Sequence, residues 1–226
     1  IASIPENFPP HYITDENGKP TGFAIEAMEQ IAKYANIKVV YKPQKNFALA
    51  IQALDDGQAD LVPNSGIASY RLENYDFSDP IETFEVVIFV RITSHDIESL
   101  SSLRGRKVGV VKTNIGEKII ASEDEIIGVA FDHVSIALVD LLSGQVDAII
   151  YPKPTLTKIA NKAGVDDFIK IVGSPLVEVK RGVRVRKGDK LLSRLNPAVA
   201  KFQHSPEFKE IYTKWFGKPR PFWTIN

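Results

Sequence analysis

A chain of 226 residues is longer than one average domain, and 44% hydrophobic with 25% charged residues is the composition of an ordinary globular protein, so two domains of modest size are expected. Lys and Arg balance Asp and Glu at 28 each, so no basic surplus points to nucleic acid and no basic amphipathic stretch points to a membrane surface. The absence of cysteine excludes disulfides, thiolate metal sites and cysteine nucleophiles, and is compatible with an oxidising compartment. The chain opens at Ile1 with neither a methionine nor a signal region and reads as processed or trimmed. Its longest apolar run, Val86 to Val90, is far too short to span a bilayer.

In chain order, Ile25, Met28, Ile31, Ala32 and Ala35 share one helical face, and Val39 to Tyr41 reads as a strand. Phe47, Ala50, Ile51 and Leu54 continue at helical spacing to a stop at Gly57, after which Leu61 and Val62 open another strand. Helices alternating with short apolar strands predict α/β lobes with mixed, largely parallel sheets. Ala50 to Pro63 (AIQALDDGQADLVP) resembles Ala137 to Pro152 (ALVDLLSGQVDAIIYP); each reads as helix, Gly-Gln-x-Asp turn and buried strand, one copy per lobe. Val86 to Arg91 and Gly182 to Arg186 read as the strands that cross between lobes. The expected division is therefore 1–90 with 182–226 for the first lobe and 91–181 for the second. Two helices follow the return, Leu191 to Phe202 and Glu207 to Phe216, and 217–226 (GKPRPFWTIN) reads as a Pro-rich strap or linker, with Phe222 and Trp223 on it.

Reaction chemistry is sparse. There is no G-x-S-x-G nucleophile turn. His11, His95, His133 and His204 are scattered without metal-ligand spacing and read as solvent or packing histidines, so no metal is expected. Gly105 and Gly109 lack the lysine and hydroxyl of a phosphate loop, Glu123 to Glu125 reads as a solvated run, and Asp76 and Asp79 read as capping and turn residues. No cofactor is implied.

Six segments in order, NFPPHY (7–12), ENGKPTGFAIEAMEQIA (16–32), DDGQADLVPNSGIASYRLENYDFSDPI (55–81), LRGRKVGVVKTN (103–114), LLSGQVDAIIYP (141–152) and EIYTKWFGK (210–218), resemble the type II periplasmic solute-binding proteins of the polar amino-acid family over nearly the whole chain. The resemblance implies two Rossmann-like lobes, a two-strand hinge, and a small ligand trapped by hinge closure. It also implies that Arg71 forks onto a ligand carboxylate, that Phe8 stacks on the ligand, and that Asn64, Ser65 and Gly66 line the first side. Taken alone, Arg71 reads equally as a surface ion pair with Asp76 or Asp79. In the second lobe, Thr113 and Asn114 stand where the family carries a glycine-containing donor loop, and Tyr151 walls the ligand.

Three departures matter. Ala68 and Gly66 replace hydroxyl residues, Lys112 to Ile115 lacks the family's glycine, and Pro152 stands where the family places an Asp for the ligand ammonium. An unpaired buried ammonium costs several kcal/mol, so the sequence predicts a small carboxylate or other anion without a recognised amine. The same fold serves sensor domains, in cis with a membrane signalling protein, and free periplasmic subunits that deliver to an ABC permease. IYPKP and the KWFGKPRPFWT ending resemble the sensor branch, so the sensor domain is the first expectation and the importer subunit the alternative. Dehydratases also occur on this fold, but no catalytic acid or base stands out, and the domain is read as a binder and not an enzyme.

Overall fold

The computed structural model describes residues 1–217; the strap expected at 217–226 lies, beyond Gly217, outside the described residues. Two packed units divide the chain, Ile1–Thr83 with the stretch from Lys180 onward, and Phe84–Val179.

The first unit begins with β1 (Ala2–Pro5), buried at all four positions. A small antiparallel sheet follows, β2 (Asn7–Phe8), β3 (Tyr12–Thr14) and β4 (Pro20–Thr21). It delivers the chain to α1 (Phe23–Ala35), the helix foreseen from its apolar stripe. No side chain caps α1. Instead the Phe23 and Ala24 N–H groups donate to the carbonyls of Pro10 and His11, each at 3.0 Å. This approach requires Gly22, whose φ is 121° and whose missing Cβ would stand 2.3 Å from the His11 oxygen.

Next, β5 (Tyr41–Gln44) pairs in parallel with β1. It starts at Tyr41 rather than Val39, because the ladder begins with Ala2 opposite Tyr41 and leaves Val40 exposed. Then α2 (Phe47–Asp55), capped by Asn46, leads into β6 (Val62–Gly66). A 3₁₀ turn at Ser69–Arg71 and β7 (Tyr75–Phe77) complete this stretch.

The chain crosses into the second unit on β8 (Glu82–Arg91). There β9 (Lys107–Val111), α3 (Ile115–Ile120), β10 (Ile127–Phe131), α4 (Val134–Ser143), β11 (Ala148–Pro152) and α5 (Lys153–Ala163) alternate. The strands lie in the order β10-β9-β11-β8, parallel except where β11 meets β8. Val86, Ile88, Val90, Val108, Val110 and Ile150 form its core. A long strand, β12 (Ile169–Arg186), returns the chain and pairs antiparallel with β6 and β7. Finally α6 (Leu192–Gln203) and α7 (Pro206–Phe216) pack with α1 around Phe23, Ile31, Val183, Val185 and Phe202.

The Gly-Gln-x-Asp repeat has a structural counterpart in each unit. Gly57 and Gly144 both take φ above 70°, ending α2 and α4. The Asp60 N–H donates to the Ile1 carbonyl before β1, and the Asp147 N–H donates to the Lys107 carbonyl of β9, each at 2.8 Å. An arginine clamps each turn. Arg186 Nη1 donates to the Leu54 and Ala59 carbonyls at 2.9 and 2.6 Å, and Arg91 Nη1 donates to Leu141 and Val146 at 2.8 and 2.7 Å. Each arginine is the last residue of a crossing strand, so strand and helix end are tied inside each unit. Arg91→Met and Arg186→Met are each expected to lower stability by about 1–2 kcal/mol in urea denaturation, since two carbonyls lose a charged donor; an unchanged midpoint would contradict the clamp.

Candidate functional site

Arg71 closes the 3₁₀ turn that follows β6, where its Nη1 donates to the Gly66 carbonyl at 2.8 Å and its guanidinium lies 5.2 Å from the Tyr70 ring. These contacts help orient a half-buried cation. Asp76, one of the two acids weighed as a surface partner with Asp79, holds Lys187 Nζ at 2.8 Å and accepts the Gly188 N–H. Beside Arg71, Ser65 is buried and its Oγ has no hydrogen-bond partner among the described residues.

Asn64 is placed differently from its expected ligand-lining role. Its N–H donates to the Tyr12 hydroxyl at 2.7 Å, its carbonyl accepts from that hydroxyl at 2.8 Å, and its Nδ2 donates to Glu82 Oε1 at 2.7 Å. Arg181 Nε donates to Asn64 Oδ1 at 2.9 Å, and Arg181 Nη2 donates to the Asn64 carbonyl. Asn64 is therefore a joint. It fixes the backbone that presents Ser65 and Gly66.

The network extends inward. Arg181 Nε lies 3.4 Å from Glu82 Oε1, and His11 Nε2 lies 2.6 Å from the same oxygen. His11, Glu82 and Arg181 are all at most 2% exposed. The Arg181 guanidinium stacks 5.1 Å from the ring of Phe8, which also meets Phe47 edge-on at 5.3 Å. The expected stacking aromatic thus itself contacts a buried cation.

Sequence reading missed Arg181, Glu82 and Arg184. A signal existed: Arg181 shares strand parity with Val183 and Val185, so a charge interrupts the apolar face of β12. Burial pushes the His11 imidazole below its ordinary value, against the attraction of Glu82. Burial disfavours the Glu82 carboxylate, but His11, Arg181 and Asn64 outweigh it and hold the group low. Glu82 Oε1 meets His11, Asn64 and Arg181, while its Oε2 is buried with no hydrogen-bond partner among the described residues.

In the second unit, Thr113 sits at φ 61° and its N–H donates to Glu117 Oε2 at 2.8 Å, while Asn114 is the N-cap position of α3. Tyr151 is buried on β11 opposite Val87, and Pro152 follows it opposite Val86. The next residue, Lys153, holds Glu85 at 2.7 Å, so a cation adjoins the position where an acid was expected.

A family model described as bacterial extracellular solute-binding proteins, family 3, matches residues 1–218. A probable histidine-binding protein of Neisseria gonorrhoeae is 30% identical, with 96% of this chain and 82% of that protein covered. An ancestral arginine-binding protein bound to glutamine superposes with TM-score 0.86 at 34% identity, covering 96% of this chain and 97% of that one. A histidine kinase sensor domain with similarity to periplasmic binding proteins superposes with TM-score 0.88 at 24% identity, covering 97% of each chain, and shares the fold.

The buried network makes the protein acid-sensitive in a defined direction. His11 is depressed below 6.5 when folded, so its contribution is complete above that pH and is lost as pH falls below it; Glu82, depressed below 4.5, adds a second loss below that value. His11→Gln should flatten the urea midpoint between pH 6.5 and 4.5, and an unaltered slope there would contradict the assignment.

Proposed function

Since the chain belongs to the bacterial extracellular solute-binding proteins, family 3, we propose that it binds a small carboxylate without a recognised amine, as the periplasmic substrate-binding subunit of an ABC importer. Arg71 takes the carboxylate by a forked pair of charge-assisted hydrogen bonds. Phe8 walls the ligand, Ser65 and the Gly66 backbone supply donors, and Thr113, Asn114 and Tyr151 are the proposed contacts of the second unit. Bending in β8 and β12 accompanies binding.

The observation that carries this reading is the orientation of Arg71 by Gly66 and Tyr70, while Asp76 is engaged with Lys187. The absence of an amine rests on Pro152, which stands where the resemblance implies an acid. A second reading, as the input domain of a membrane sensor, is favoured by the likeness of fold to the kinase sensor domain and by the Pro-rich ending. The named relative with 30% identity is a binding protein, which supports the importer reading. A transmembrane segment encoded directly after Asn226 would reverse that order.

Calorimetric titration with amino acids and their deaminated counterparts tests the ligand class. The deaminated acid is expected to bind more tightly, and tight binding of the plain amino acid would overturn the reading. Arg71→Ala should abolish ligand-induced thermal stabilisation while the apo protein melts unchanged.

A further inference from the structure

Arg184 lies on β12 with 1% of its surface exposed. Its guanidinium stands 4.7 Å from the Tyr75 ring and 5.3 Å from the Phe77 ring, so two aromatic residues of β7 grip it. Its Nε and Nη2 are buried with no hydrogen-bond partner among the described residues. A buried guanidinium normally has its N–H groups answered by a carboxylate or by carbonyls. The neighbouring arginines of β12 show the contrast: Arg181 answers Asn64 and Glu82, and Arg186 answers two carbonyls.

The nearby acid does not fill this role. Both oxygens of Asp55 take the Tyr75 hydroxyl, at 2.8 and 2.9 Å, and Asp55 is exposed. Burial pushes the Arg184 guanidinium down to about 10, and the charge of Arg71 is the next largest influence, so the two cations lie within electrostatic reach of each other. They share Tyr70 and Tyr75 as neighbours. Two cations drawn together inside one unit are stabilised when an anion joins them.

We propose that Arg184 is a second anion-recognising residue of the first unit, acting with Arg71 on a ligand that carries two acidic groups. This deepens the carboxylate reading and rests on it. Succinate and glutarate, titrated calorimetrically against butyrate and pentanoate, supply the test. The parent protein should prefer the diacids by about tenfold or more, the effect of one added charged hydrogen bond. Arg184→Met should erase that preference while monoacid binding persists, and its apo form should melt no lower than the parent, because an unanswered buried charge has been replaced by an apolar chain.

An apo Arg184→Met protein that melts lower, or fails to fold, would make Arg184 a structural strut and overturn the proposal. A diacid preference kept in Arg184→Met, which removes the charge, would also overturn it. Monoacid binding that survives Arg71→Met would instead sink the carboxylate reading, as would a parent protein that binds no member of the series.

Discussion

The first unit depends on one buried guanidinium. Arg181 is buried, and such a cation is costly unless its donors are matched by acceptors and its charge by an anion. Asn64, Glu82 and the ring of Phe8 meet those demands together. Because Asn64 lies in β6 and Phe8 in β2, the same cation joins two segments that the chain brings together only after folding. Removing Glu82 would leave the buried Arg181 charge without its anion.

This constraint shapes recognition. The Asn64 backbone is locked on both its N–H and its carbonyl by Tyr12, so the following residues, Ser65 and Gly66, leave β6 in a fixed direction. Gly66 then orients Arg71 through its carbonyl. A rigid support of this kind lowers the ordering entropy that ligand binding must overcome. Three arginines, 71, 181 and 184, are thus concentrated around β6 and β12, and among the acids near them only Glu82 is buried. The balance favours anions. The proposed ligand class, an acid without an amine, follows that balance together with Pro152 in the second unit.

Much of the architecture was legible because it follows from period and punctuation. The stripe from Ile25 to Ala35 gave α1, and the two Gly-Gln-x-Asp turns gave one helix-to-strand passage in each unit. The arginines that clamp those turns were visible only as strand ends, since nothing in Val86 to Arg91 or Gly182 to Arg186 reveals a partner some 50 to 130 positions away. The β5 strand was misplaced by two residues, because its start is set by pairing with β1 and not by its own apolar content.

The candidate site was legible by residue type and less so by role. Arg71 carries a sequence context that distinguishes it from any surface arginine. Asn64 carries none that separates a ligand donor from a structural joint, because that difference lies in Arg181 and Glu82, which are remote in sequence. His11 read as a packing histidine, and burial among Phe8, Phe23 and Phe216 fits that, but its contact with Glu82 is tertiary. The most direct measurement of the central claim is native mass spectrometry of protein purified without refolding, to identify what co-purifies with it. The account predicts an organic acid lacking a basic nitrogen; an α-amino acid bound through its free ammonium would contradict it.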